Sequence, residues 1–243
     1  MSKKVLLINP SWNVETKHNM WSKIASCYPS LGLAYIAAVL RENKIYVRIL
    51  DLHAEQISIN QFKSEFLEII KKYDFIGITA TTPLIKNALI LAKFIKSVSP
   101  STKIVFGGVH PSVKYVETLS YDCVDYVIRG EGEFSMLELV QGKKPITIKG
   151  LSYKLSNGKL KHNLNREPIK DLNKLPMPAY DLLPIRKYRP AIGAYRKLPA
   201  MSIFATRGCP GRCTFCFRLF EGTIRYRSAE KIIEEILFLQ SFS

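Results

Sequence analysis

"FIGITATTPLIKNALILAKFIKSVSPSTKIVFGG", residues 75–108, decides the fold. "FIGITA" (75–80) is a short apolar, β-branched run of strand length. Thr82-Pro83 then opens a helix, because proline fits the first helical turn, where its missing N–H had no partner. "PLIKNALILAKFIKSV" (83–98) continues that helix, and "KIVFGG" (103–108) is a second strand ending in a glycine pair. A helix between two strands returns the chain to the same sheet edge, so the strands run parallel and the crossover is right-handed.

The same rhythm extends outward. Strands are expected at "KVLLIN" (4–9), at "IYVRIL" (45–50, ending in Asp51) and at "VDYVIRG" (124–130). Helices are expected at 29–43, with Pro29 and Ser30 at the start, and at 133–141. Another is expected at 61–73, where residues 62, 66, 69 and 70 form an apolar stripe. The fold class is α/β, a parallel sheet with flanking helices on both faces. Ligands of such sheets bind beyond the carboxyl ends of the strands. Those ends carry Asn9 and Pro10; Asp51; Thr79, Ala80, Thr81 and Thr82; Gly107 and Gly108; and Arg129 through Glu133, including Gly130 and Glu131. They are small, polar or flexible, as a bulky ligand lying on backbone requires. Gly107 and Gly108 would equally suit a tight strand–helix turn.

Beyond residue 141 the pattern changes. "LSYKLSNGKLKHN" (151–163) places Asn157-Gly158 between alternating runs, predicting a hairpin with a type I′ turn. Residues 166–190 hold five prolines with little periodicity and read as an extended linker crossing a surface. A new strand, Met201 to Thr206, leads into "GCPGRCTFC", and a helix capped by Ser228 follows over 228–240. The chain thus divides into an α/β domain at 1–141, a hairpin and Pro-rich linker at 142–198, and a second βα series at 199–243.

Composition sets outer limits. The 243 residues are 47% apolar and 23% charged, an ordinary globular balance. The longest apolar stretch, "LGLAYIAAVL" (31–40), is too short to span a bilayer, and no secretory signal is visible. A cytoplasmic protein is expected. The net charge of +16 is uneven, +3 over residues 1–140 and +13 over 141–243. No basic motif of a nucleic-acid module accompanies it, so it reads as a lysine-rich solvated surface rather than a nucleic-acid site. Cys27 and Cys123 stand alone and read as small core residues; His18 carries no motif.

Cys209, Cys213 and Cys216 fall within eight residues, with Gly208, Pro210 and Gly211 allowing a sharp loop. Three thiolates on a cubane cluster leave one iron open. A catalytic zinc also keeps an open position, but histidine or carboxylate usually supplies some of its ligands, and the nearest histidine is His162.

"CPGRCTFC" after a strand resembles the cysteine signature of the radical S-adenosylmethionine (radical SAM) enzymes, with an aromatic, Phe215, before the third cysteine. "PSLGLAYIAAVL", "GGVHPS", "RGEGE" and "DLNKLPMPAYDLLP" resemble the N-terminal part of the B12-dependent subgroup, and "RYRSAEKIIEEILFL" is similar to the segment after its cluster. The resemblance covers nearly the whole chain.

It implies a Rossmann-like cobalamin-binding domain followed by the first βα unit of a partial TIM barrel. It further implies a [4Fe–4S] cluster on Cys209, Cys213 and Cys216, with S-adenosylmethionine on the open iron. Reductive cleavage then gives a 5′-deoxyadenosyl radical, and cobalamin assists methyl transfer or rearrangement. Phe215 would shield the cluster, and His110 would border the corrin. Asp51-x-His53 supplies two of the three residues of a D-x-H-x-x-G cobalt-ligand pattern, but Gln56 stands where that pattern has glycine, so His53 reads as a loop residue. A small-molecule, lipid, pigment or natural-product substrate is implied, with a flavodoxin or ferredoxin as reductant. Because later barrel strands are missing, the chain is expected to be incomplete and inactive alone. Two further readings stand: a radical SAM modifier of RNA, methylthiotransferase-like, and a non-catalytic cobalamin or iron–sulfur binding module.

Overall fold

The computed structural model describes residues 3–12, 26–191, 193–217 and 224–242; His18 lies outside them. Five parallel strands form the centre: β1 (Lys4–Asn9), β2 (Tyr46–Asp51), β3 (Phe75–Thr79), β4 (Lys103–Gly107) and β5 (Tyr126–Ile128). Their order is β2-β1-β3-β4-β5. The chain moves outward from β1 in both directions, so helices cover both faces, as the apolar strands required.

One face is covered by α1 (Leu31–Glu42), and the other by α2 (Ile59–Glu65), α3 (Leu67–Ile70) and α4 (Ile85–Val98), with a 3₁₀ turn at Thr82–Leu84. Two short helices, α5 (Val109–Val113) and α6 (Tyr115–Ser120), join β4 to β5, and α7 (Glu133–Val140) packs beside α1. Two apolar cores result. Leu7, Leu33, Ala37, Val105, Ile128 and Met136 fill the α1 side, and Ile8, Phe62, Ile76, Leu91, Phe106 and Val127 fill the α4 side. Each large side chain fully buried there stabilises the fold by roughly 1.5–3 kcal/mol relative to exposure.

The structure corrects several expectations. The single helix at 61–73 is two, α2 and α3, parted at Phe66, whose ψ of 6° leaves helical geometry. The ring of Phe66 stacks on Phe62 at 5.2 Å. The strand at 124–130 shrinks to Tyr126–Ile128. The hairpin, β6 (Leu151–Lys154) and β7 (Leu160–His162), adds to the sheet antiparallel to β5, giving seven strands in all. Its turn is not type I′. Gly158 N–H donates to the Leu155 carbonyl, Gly158 alone takes positive φ (78°) within it, and Leu155 N–H donates to Lys159. That is a type I turn closed by a glycine bulge, the three-residue hairpin solution.

The proline-rich stretch does not merely cross a surface. It makes three 3₁₀ turns and drives Leu172, Leu175, Tyr180, Leu183 and Tyr188 into the α1-side cores. The expected strand Met201–Thr206 narrows to β8 (Thr206–Arg207), paired antiparallel with β9 (Arg225–Tyr226). One further backbone bond, from Arg227 N–H to the Ala205 carbonyl, continues the two-residue ribbon past its paired residues. Last comes α8 (Ala229–Gln240), with Ser228 Oγ accepting from Lys231 N–H as its cap. No helix among the described residues is long and apolar enough to cross a membrane.

Candidate cofactor site

A cavity of about 460 Å³ opens at the carboxyl ends of β3, β4 and β5. Its floor is Leu7, Gly77, Thr79, Val105, Gly107 and Ile128; its walls are Ser30, Gly32, Leu33 and Ile36 of the α1 end, and Gly130 to Glu133 with Met136. Phe204, Thr206, Arg207 and Gly208 close it from the ribbon side. The lining is mainly apolar, with peptide edges exposed where glycine stands in place of a side chain. At Gly32 and Gly130 an added Cβ would meet nothing within 4 Å, so these positions keep open space. Gly108 does different work. Its φ is 92°, and a Cβ there would sit 2.6 Å from Thr79 Oγ1 and 3.0 Å from the Ala80 carbonyl, so it serves the tight strand–helix turn.

The structure brings Thr79, Gly107, Gly108 and Gly130 through Glu133 to this cavity and leaves Asn9, Pro10, Asp51, Ala80, Thr81, Thr82 and Arg129 outside its lining. Asn9 and Asp51 hold each other: Asn9 Nδ2 donates to Asp51 Oδ1 at 2.9 Å. Ala54 N–H donates to the same oxygen, and Tyr188 Oη donates to Asp51 Oδ2 at 2.9 Å. Asp51 is therefore the buried anchor of the proline-rich segment. Burial, then Asp51, pushes the Tyr188 hydroxyl up. Pro10 and Ala80 are buried backbone joints, and Thr81 precedes the 3₁₀ turn. His110 is buried with Nδ1 3.2 Å from Thr82 Oγ1. His53 lies in the loop after β2, and Gln56 adopts φ 57°, the left-handed conformation that glycine would favour at that position of the pattern.

Glu131 lines the cavity, yet its carboxylate points into an ion cluster that joins the sheet to the ribbon. Arg225 Nη1 lies 2.9 Å from both Glu131 oxygens and donates to the Ile169 carbonyl. Ile169 N–H donates to Glu131 Oε2 at 2.6 Å. Arg207 Nη1 lies 3.2 Å from Glu131 and 2.7 Å from Glu133. Its guanidinium rests 4.6 Å above the Tyr35 ring, with Phe204 stacked on Tyr35 beside it. Burial works against the charge of Arg207, but Glu133 and then Glu131 hold its pKa above the ordinary arginine value. Sequence reasoning missed Arg207, Arg225, Gly32, Gly77, Met136 and Phe204. The available signals were a glycine inside the first turn of α1 and two arginines bracketing the cysteine loop.

The three cysteines share that exposed loop, immediately after Gly208 of the cavity wall. Gly211 N–H donates to Cys209 Sγ at 3.4 Å, and a Cβ on Gly211 would lie 3.3 Å from Cys209 Sγ and 3.7 Å from Cys213 Sγ. Glycine thus leaves room for the Cys209 and Cys213 sulfurs on one side of this loop, and the donor set of three thiols fits a thiolate-ligated cluster. Among the described residues no three His, Cys, Asp or Glu side chains stand together as a metal-binding group. Phe215 is 91% exposed.

Known proteins sharpen this geometry. The B12 binding domain family matches residues 19–140. An uncharacterised methyltransferase of Pyrococcus horikoshii is 37% identical over 97% of this chain and 50% of its own length. An anaerobic magnesium-protoporphyrin IX monomethyl ester cyclase of Rubrivivax gelatinosus is 31% identical over 96% of this chain and 42% of its own. The chain thus spans about half the length of the curated relatives it matches. A solved cobalamin-dependent S-adenosylmethionine radical enzyme, OxsB, superposes with a TM-score of 0.75 at 23% identity, over 96% of this chain and 31% of that one. A five-stranded parallel sheet with its cavity at the strand ends, in a sequence that the family model matches over residues 19–140, places the chain in the B12 binding domain family.

Proposed function

We propose that this chain holds the cofactors of a B12-dependent radical SAM enzyme, of methyltransferase or cyclase type. The observation that carries the reading is adjacency: Gly208 lines the cavity at the strand ends, and Cys209 is the next residue. In this reading residues 1–141 form the cobalamin-binding domain, 142–198 connect, and 199–243 begin the radical SAM domain. Cys209, Cys213 and Cys216 hold a [4Fe–4S] cluster, and Thr79, Gly107, Gly108, Gly130 and Glu131 border the corrinoid.

When bound, the cluster and S-adenosylmethionine supply a one-electron cleavage of a carbon–sulfur bond, and cobalamin supplies a transferable methyl group. The chain's own part is positional. Glycines 32, 107 and 130 leave backbone bare so that a broad ligand can lie against it. Leu33, Ile36, Val105 and Met136 exclude water from its edge. Gly211 N–H offers a hydrogen bond to Cys209 Sγ, which helps to orient that sulfur in the loop. The substrate class proposed is a small molecule, lipid or pigment, supported by relatives named as a magnesium-protoporphyrin ester cyclase and a hopanoid C-3 methylase. A flavodoxin- or ferredoxin-type protein is the proposed reductant.

Anaerobic reconstitution with iron, sulfide and hydroxocobalamin, followed by absorption and EPR spectroscopy, tests this. A corrinoid spectrum together with a cubane signal that Cys213→Ala abolishes is the expected result. A cluster without corrinoid uptake would redirect the reading to a radical SAM modifier of RNA. Corrinoid uptake without a cluster would leave a binding module.

A further inference from the structure

We infer that Glu131 is a positioning residue that couples occupancy of the strand-end cavity to the state of the cysteine loop; the inference rests on the function proposed above. Glu131 stands in both places at once. The residue, between Gly130 and Gly132, is part of the cavity wall. Its carboxylate, only 4% exposed, grips both strands of the ribbon that brackets the cysteines: Arg207, two residues before Cys209, and Arg225, after the loop. The same carboxylate also takes the Ile169 N–H, so its four contacts leave little freedom to reorient.

A ligand that presses on residues 130–132 therefore moves the group that fixes both ends of the loop. The neighbouring peptides offer little resistance, since glycine flanks Glu131 on each side and Gly130 already occupies positive φ (77°). Arg207 passes the displacement on through one nitrogen, Nη1, shared between Glu131 and Glu133, at the position adjoining Gly208. By linkage, a loop ordered by its cluster must reciprocally alter affinity at the cavity.

The test measures hydroxocobalamin affinity by absorbance titration on the full chain, with and without a reconstituted cluster. Wild-type protein is expected to show affinities differing by about fivefold or more between the two states, within the usual range of site–site coupling. In Glu131→Gln the ratio of affinities between the two states falls to about one, and the cluster EPR line broadens as the loop samples several arrangements. Tyr180→Phe, which removes a different buried hydrogen bond, from the proline-rich segment to α8, keeps the wild-type ratio. Should Glu131→Gln fail to fold by circular dichroism, Arg207→Lys serves in its place, retaining charge and losing the planar group that rests on Tyr35 and aims Nη1 at both carboxylates. A wild-type ratio of one, or a variant ratio equal to wild type, overturns the coupling. Absence of corrinoid or cluster binding in wild type overturns the proposed function itself, a result plainly separate from a lost ratio.

Discussion

The sheet and the ribbon–helix segment obey opposite burial rules. In the sheet, apolar residues point inward and carboxylates are few and anchored, as at Asp51. In α8 the one buried residue is Glu235, fully enclosed, while Ile233, Ile236, Leu237 and Phe238 are exposed. Glu235 pairs with Arg227 and accepts from Tyr180 Oη, so this helix is attached through a charged pin. One region is held by packing, whose energy is spread over many contacts. The other adds few apolar contacts, Leu239 and Phe242 among them, and leans on buried ion pairs, where removing one partner strands a buried charge.

Thiol chemistry gives the widest contrast. Burial, followed by Asp51, pushes the Cys27 thiol up to about 12 from an ordinary 9.0, and burial also raises Cys123. A raised pKa keeps the thiol protonated, and only the thiolate alkylates. At about pH 8 the reactive form of Cys27 is scarcer than that of a free thiol by about 10³. Iodoacetamide and peptide mass spectrometry on the metal-free protein should therefore label Cys209, Cys213 and Cys216 and spare Cys27 and Cys123; prompt labelling of Cys27 would place it outside the packed region.

Stability changes come next. Arg227→Ala leaves Glu235 buried without its counter-ion and should cost about 3–5 kcal/mol, read as a lower urea midpoint. In the sheet, Gly77→Ala sets a methyl 2.8 Å from Leu7 Cδ2 and should cost about 1–3 kcal/mol through overpacking, with weaker corrinoid binding because Gly77 also lines the cavity. Leu237→Glu, at a site 61% exposed, should change stability by about 0.5 kcal/mol or less. A loss as large as that of Gly77→Ala would mean that α8 is packed on its apolar face after all.

The parallel sheet was legible because each strand and helix carries its own periodic signal. The hairpin was legible as a hairpin, but its turn type depended on which residue took positive φ, and Asn157-Gly158 suits either solution. The three cysteines were legible from spacing. What escaped was pairing at a distance. Asn9 and Asp51 end their strands as ligand-binding residues often do, yet Tyr188, 137 residues beyond Asp51, claims the carboxylate. "RGEGE" reads as a ligand-facing loop, yet its glutamates meet Arg207 and Arg225, contacts that leave no local trace in composition or period. Likewise the proline-rich stretch hides its buried tyrosines, because 3₁₀ turns give apolar residues no regular spacing.

The bond between Arg225 and Glu131 spans 94 residues of sequence. A ribosome adds roughly 5–20 residues each second, so the sheet emerges about 5–20 seconds before the arginine that neutralises its terminal carboxylate. During that interval Glu131 and Glu133 must stay hydrated, which holds the cavity mouth open and wet until the cysteine ribbon has been made. The nascent chain is thus kept from sealing this cavity before the loop beside it exists.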